Sequence, residues 1–349
     1  MPKTIQIAAI QMDARPAPTL ERLARAESLV AQAAHSGAQL VVLPEVFNTG
    51  YEYSDQNFER AETPHGLTAS WMLKTAAQQH VHLAGTFLCV DQNDIYNRLL
   101  LVAPDGRQWR YDKNYPWVWE RIYFRQGRGV TIAQTDLGKI GFLICWDVAH
   151  TDLWQQYAGQ LDLMLVSSCP PRIFDLSLVL PGGKRILGKD MGALIQYMKR
   201  TSDETFGAYL RRQASFSGIP LVHATSTGTF TSAIPNPKLS LSILALVYPP
   251  LWKHTSESEP PRIESGYFDE SFIADANGLV LESVRPGLEG FALSSVSLPD
   301  ALPQPVGKRP SFGIPKPSYW FDSFGNWILA FSYRKKLRKS AGHLAAGAR

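Results

Sequence analysis

The sequence predicts an α/β layered fold, and three observations carry the prediction. Short apolar runs of strand length alternate with segments of helical periodicity. Turn signals, chiefly Pro104-Asp105-Gly106 and Asn277-Gly278, separate the apolar runs where the chain must reverse. The 349 residues are 45% hydrophobic and only 19% charged, a balance that fills a sizeable core without disulfide or metal staples.

The elements follow in order. Residues 5–12 (IQIAAIQM) are an Ile-rich run and read as a buried strand. Residues 19–35 place Leu20, Leu23, Ala24, Glu27, Val30, Ala31 and Ala34 at helical spacing, and Gly37 suits the stop. Residues 39–44 read as the next strand, and a helix follows from Gly66 to His80. Strands at 81–90 and 95–103 pair, and Pro104-Asp105-Gly106 returns the chain into a third at 107–112. A second pair, 129–135 and 139–144, is joined by Asp136-Leu137-Gly138. A helix from Thr151 to Ala158 leads to a strand at 161–167, and further strands fall at 219–226, 266–274, 279–284 and 291–298.

Two stretches interrupt this rhythm. Residues 169–208 are basic and then helical, and residues 229–263 join an apolar run to a polar loop. Both read as insertions in one domain over residues 1–298. From Pro299 to residue 349 the chain is Pro-rich, then aromatic, then basic, and reads as an extended arm. The net charge of +4 belongs to this arm: residues 334–349 hold six Lys/Arg and no acid, so residues 1–333 carry −2. The body therefore gives no reason to expect nucleic-acid binding. The aromatic and basic tail can lie on an anionic membrane surface or dock on its own body or a partner subunit, and docking is preferred. Three cysteines, no signal-like leader and no apolar run long enough to span a bilayer point to the cytoplasm.

Three residues share the address where α/β sheets place their chemistry, the C-terminal end of a strand. Glu45 follows LVVLP, Lys113 follows WRYD and Cys145 follows IGFLI. Separately, each has an ordinary structural explanation: a surface carboxylate, a solvated lysine, an inert core thiol. Together they form a chemical set. A thiol needs a base, for which Glu45 serves, and a nearby cation, for which Lys113 serves, to attack a carbonyl and hold the resulting oxyanion. Glu120, seven residues beyond Lys113, can fix its ammonium group or handle a leaving amine. No His/Cys grouping has zinc spacing.

The blocks PEVFNTGY (44–51), DKNYPWVWERIYFRQG (112–127) and GFLICWD (141–147) resemble the Glu, Lys and Cys motifs of the carbon–nitrogen hydrolase (nitrilase) superfamily. IAAIQM (7–12), RQASFSGIPLVHATSTG (212–228) and SFIADANGLVLES (271–283) support the resemblance, which covers residues 5–168 and 209–298. It implies a four-layer αββα sandwich, commonly a dimer or higher homo-oligomer, with Glu45, Lys113 and Cys145 catalytic and Glu120 as a second, structural glutamate. It further implies that Cys145 attacks a C–N carbon, that Lys113 and the Trp146 backbone N–H hold the negative charge, and that no metal and no organic cofactor is needed.

The chain departs from the family after CWD, where VAHTDLW (148–154) replaces an aromatic-Pro-Glu step and Asp152 stands near the glutamate's place. The Tyr115-Pro116-Trp117-Val118-Trp119 run either lines the pocket mouth or packs as a loop. Tyr51, Trp117, Trp119, Trp146 and Arg172 are the candidate substrate contacts. Lys184 and Arg185, beside Arg172 in the first insertion, either meet a substrate anion or face solvent. The leading expectation is hydrolysis of a small amide or N-carbamoyl compound. Nitrile cleavage, acyl transfer to an amine, and an inactive scaffold that binds partners are the alternatives.

Overall fold

The computed structural model describes residues 3–172, 175–192, 203–256, 259–311 and 329–340. Two sheets form its centre. The first has the order β12-β1-β2-β3-β4-β5, with β17 also paired to β1. Its strands are β1 (Thr4–Asp13), β2 (Leu40–Val42), β3 (His82–Asp91), β4 (Asp94–Val102), β5 (Gln108–Asp112), β12 (Ser226–Thr227) and β17 (Gly290–Ser297). The second, of order β16-β15-β11-β8-β7-β6, contains β6 (Ile132–Gln134), β7 (Lys139–Ile144), β8 (Leu163–Ser167), β11 (Leu221–Ala224), β15 (Phe272–Ala274) and β16 (Val280–Ser283).

Alternation along the strands builds the layers. On β1, Ile5, Ile7 and Ala9 pack with Phe142, Leu165 and Val222 of the second sheet. The intervening Ala8, Ile10 and Met12 pack with Leu23, Ala26 and Val30 of α1 (Thr19–His35) and Met72 and Ala76 of α3 (Leu67–Gln79). Strands buried on both faces have no polar side, so they read in sequence as unbroken apolar runs. Leu153 and Tyr157 of α4 (Thr151–Tyr157) and Leu210 and Ala214 of α5 (Leu210–Ser217) cover the second sheet. The result is the expected αββα sandwich.

Helix α1 has the predicted bounds, and α3 ends on His80 in the left-handed conformation. Asn277-Gly278 makes the expected turn between β15 and β16. Gly278 has φ +77°, and a Cβ there would stand 2.3 Å from the Arg211 carbonyl oxygen, so the turn requires glycine.

The two insertions prove to be one structure. β9 (Ser177–Val179) and β10 (Arg185–Leu187) of the first and β13 (Thr229–Ala233) of the second join β14 (Arg262–Gly266), which begins at the end of the second, in one sheet of order β10-β9-β14-β13, with β9–β14 the pairing between them. Leu178, Phe230 and Ile263 of this third sheet share an apolar cluster with Tyr51, Tyr53, Tyr123 and Phe124 of the body. The apolar run of the second insertion is helix α6 (Pro237–Val247), begun by Pro237 in its first turn. A four-residue helix, α2 (Gln56–Glu59), also escapes the sequence reading.

Part of the arm can be placed. Residues 329–340 form a helix, α7, docked on the chain's own body. The buried Tyr333 hydroxyl accepts a hydrogen bond from the Ile95 N–H at 2.9 Å and donates to Asp94 at 3.0 Å. Lys336 pairs with Asp55 and lies over the Tyr123 ring. Asn236 of the second insertion donates to Ser332 at 2.8 Å. The rest of the aromatic tail, residues 312–328, and the end of the chain, 341–349, lie outside the described residues. Among those described, no helix is long and apolar enough to cross a membrane.

Candidate active site

Glu45, Lys113 and Cys145 each follow the end of a strand: β2, β5 and β7. Lys113 is held at both backbone groups. Its N–H donates to the Asn97 carbonyl at 2.9 Å, and its carbonyl accepts from the Gly127 N–H at 2.7 Å. At Gly127 a Cβ would stand 2.2 Å from the Asp112 carbonyl oxygen, so the close return of the 113–127 loop requires its glycine.

The charged side chains form a buried chain. Lys113 Nζ donates to Glu45 Oε1 at 2.8 Å and to Glu120 Oε2 at 2.7 Å. Lys113 is fully buried, and Glu45 and Glu120 are 1% exposed. Glu120 is fixed further by the Trp117 N–H at 2.6 Å and the Tyr51 hydroxyl at 2.6 Å. Asn97 Nδ2 donates to Glu45 Oε1 at 2.7 Å. Glu45 Oε2 is buried and has no partner by hydrogen-bond geometry among the described residues, although the neighbouring thiol of Cys145 acts to lower the carboxyl's pKa.

Cys145 lies at φ +46°, the left-handed region that residues with side chains avoid. Such a conformation costs about 1–3 kcal/mol and persists where its surroundings enforce it. Asp147 supplies that enforcement. Its carboxyl accepts from the Ile144 N–H at 3.1 Å, the Tyr115 N–H at 2.8 Å and the Tyr111 hydroxyl at 2.7 Å. The turn that begins at Cys145 is thereby tied to β5 and to the loop carrying Lys113.

Electrostatics define the resting protonation. Burial, then the neighbouring Glu45 charge, hold the Cys145 thiol well above its usual range, so the sulfur rests protonated. Burial also raises the Glu45 carboxyl, while Lys113 pulls it back down. Burial alone would lower the Lys113 pKa, but Glu120 and Glu45 outweigh it and keep the ammonium charged. Burial raises Asp147 to about 7, against the opposing effects of Lys113 and Tyr111.

The remaining sequence candidates divide. Trp146 is next to Cys145 and buried. Trp117 and Trp119 meet edge to face at 6.1 Å, and Trp119 packs on Tyr53 and donates to Ser240 of α6 at 3.0 Å. They form a packed aromatic seam between the body and the second insertion. Tyr51, expected at the substrate, has its hydroxyl on Glu120, which makes it a support of the charged chain. Arg172 faces Asp203 and Asp269, each at 3.6 Å, and Arg185 bridges Ser177 and Glu264. None of these ion-pair partners belongs to the Glu45–Lys113–Glu120 chain. Asp152 accepts from the Tyr115 hydroxyl at 2.7 Å, and the Tyr115 ring stacks on His150. Burial, reinforced by Arg121, lowers His150 to about 3, so this imidazole is neutral.

Asn97 and the supporting role of Asp147 were missed from sequence. The signal for Asn97 was one uncharged polar residue inside the buried strand segment 95–103.

A family model for carbon-nitrogen hydrolases matches residues 6–301. The chain belongs to the carbon–nitrogen hydrolase family. Among characterised members it is 31% identical over 147 residues to a nitrilase of Pyrococcus abyssi, a match that covers 41% of this chain and 56% of the relative. It is also 31% identical over 144 residues to an (R)-stereoselective amidase of Pseudomonas sp, covering 41% and 52%. The chain thus spans about half the length of the curated relatives it matches. The fold is that of an amidase from Nesterenkonia sp. (TM-score 0.60, 19% identity, 85% of this chain and 91% of that one). It is equally that of XC1258 from Xanthomonas campestris, a CN-hydrolase superfamily protein with an arsenic adduct in its active site (TM-score 0.59, 18% identity, 84% and 91%).

Proposed function

We propose that this carbon–nitrogen hydrolase cleaves a small amide or N-carbamoyl compound through an acyl-thioester on Cys145. The observation that carries the reading is the buried Glu45–Lys113–Glu120 chain beside a thiol on a strained turn. Glu45 and Lys113 cancel, and Glu120 leaves the cluster with one net negative charge. Simple loss of the Cys145 proton would double that charge inside a dry site. Transfer of the proton to Glu45 keeps it constant, so attack and proton transfer to Glu45 are coupled.

The steps follow. The Cys145 proton passes to Glu45 as the sulfur bonds to the substrate carbon, and the carbonyl π electrons move to oxygen. Lys113 and the Trp146 backbone N–H stabilise that oxyanion. The C–N bond breaks as Glu45 returns the proton to nitrogen, which leaves as ammonia or an amine. Water then gives a proton to Glu45 and attacks the thioester, and the C–S bond breaks. The acid departs and the thiol recovers the proton. The aspartate of the CWD step and the amidases among the chain's relatives support the amide reading.

The test is ammonia or amine release from a panel of carboxamides, N-carbamoyl amines and nitriles. Turnover of a carboxamide or carbamoyl amine, lost in Cys145→Ala, supports the proposal. Turnover confined to nitriles contradicts it, as does release that requires an added amine acceptor. A Cys145 that never reacts with iodoacetamide points to the scaffold reading.

A further inference from the structure

A cavity of about 660 Å³ lies between β4, β5, the 113–128 loop and α7. Neither Glu45, Lys113 nor Cys145 lines it. Six arginines reach its wall, Arg98, Arg110, Arg121, Arg125, Arg128 and Arg334, against two carboxylates, Asp91 and Asp112. The lining therefore carries an excess of four positive charges.

Both carboxylates are already engaged. Arg98 takes Asp112 with two hydrogen bonds, at 2.8 and 2.9 Å, and Asp91 with one at 2.9 Å. Arg110 adds a second contact to Asp91 at 3.1 Å. A cation would have to displace these guanidinium groups, so the cavity is not built for one. Arg125 stands 3.8 Å from Asp94. Arg128 and Arg334 have no ion pair among the described residues, and both are exposed. They come from different elements, the loop after Lys113 and the C-terminal helix. The Arg98 side chain is 4% exposed, and its planar fork is fixed by the two aspartates. Tyr96, Phe124 and Tyr333 supply aromatic surface.

We propose that this cavity binds a small, multiply charged oxyanion, a polyphosphate or a polycarboxylate. Arg128 and Arg334 would close on it from these two elements. Guanidinium groups match phosphate and carboxylate oxygens in pairs, and the volume falls in the range of small-ligand sites. The cavity draws one wall from α7, so the site needs the C-terminal arm as well as the sandwich.

The experiment is titration calorimetry of the full chain with inorganic pyrophosphate and, separately, citrate, at low and moderate ionic strength. The expected result is one ligand per chain, weakened by salt. Binding should fall about tenfold or more in Arg128→Ala/Arg334→Ala, since two charge-assisted contacts are lost. The variant Arg262→Ala/Arg285→Ala, which removes the same charge elsewhere, should bind as the parent does. Pyrophosphate bound more tightly than citrate assigns a phosphate ligand, and the reverse order a polycarboxylate. The unfolding midpoint of each variant without anion verifies that it is folded. Absence of heat at millimolar concentrations of both probes overturns the proposal. Equal weakening in the two double variants overturns it too, because the anion would then sense only overall charge.

Discussion

Replacing Glu120 by Gln separates a catalytic charge from a packed side chain. Glu120 accepts from Lys113 Nζ, the Trp117 N–H and the Tyr51 hydroxyl, all within 2.6–2.7 Å. Glutamine keeps the volume but loses the charge, and one of its two terminal atoms becomes a donor. If its amide nitrogen faces Tyr51, the hydroxyl can turn and accept. The Trp117 N–H contact then becomes a neutral hydrogen bond, about half as strong as one to a carboxylate, while the Lys113 contact keeps its charged donor. Hydrogen bonds to charged groups contribute about 1.5–3 kcal/mol and neutral ones about 1 kcal/mol, so the expected loss of stability is about 1–2 kcal/mol. Urea unfolding measures it.

The kinetic signature has a sign. The Glu120 charge is one of the influences that raise the Glu45 carboxyl. Its removal lowers the Glu45 pKa, makes Glu45 a weaker base and frees Lys113 from one of its two anchors. We expect kcat/KM to fall about 10²-fold, within the range ascribed to positioned acid–base catalysis, and the acid limb of its pH profile to move to lower pH. An unchanged kcat/KM, or an acid limb displaced upward, would refute the reasoning.

Asn97→Leu should move that limb the other way. It removes the 2.7 Å hydrogen bond to the ionised Glu45, so the carboxyl titrates higher and activity disappears at a higher pH. Asp147→Asn should show a pH-dependent difference in stability from the parent. A carboxyl raised to about 7 in the fold binds its proton where the unfolded chain has released it, so it destabilises the fold increasingly between its unfolded pKa and about 7. Relative to the parent, the variant should gain up to about 1.4 kcal/mol per pH unit in that window, read from unfolding midpoints. Tyr333→Phe leaves the buried Ile95 N–H without its acceptor and should cost about 1–3 kcal/mol in urea unfolding.

These residues show how far the sequence could be read. The central strands β1, β3, β4, β7, β8 and β11 were legible because each is a largely buried apolar run, whereas the half-exposed edge strands β5 and β16 were found from the turn signals beside them. Helix α1 was legible because one apolar stripe recurs over its length. The third sheet was not: β9 and β10 have three residues each, too few to show alternation, and the strand that joins β9 to the rest of the sheet, β14, lies more than 80 residues away. Helix α6 was obscured because LSLS alternates like a strand before the pattern turns helical.

At the site, Glu45, Lys113 and Cys145 were legible from residue type and strand-end position, and Glu120 from its spacing after Lys113. The structure brings the three charged side chains into contact, with Cys145 beside Glu45; the Lys113–Glu120 pair was expected, and the Lys113–Glu45 contact was not. Asn97 was not legible, because its significance depends on which strand neighbours it across the sheet. Tyr51 was singled out for the substrate, and only the three-dimensional contact shows that its hydroxyl serves Glu120.

The central claim is a covalent bond between substrate carbon and the Cys145 sulfur. Intact-mass spectrometry of enzyme quenched in acid during turnover of an active amide tests it most directly. The account predicts a mass increase equal to the acyl group, mapped by peptide analysis to Cys145 and absent from Cys145→Ala. Turnover that persists in Cys145→Ala, or an acyl group found on Cys89 or Cys169, would contradict it.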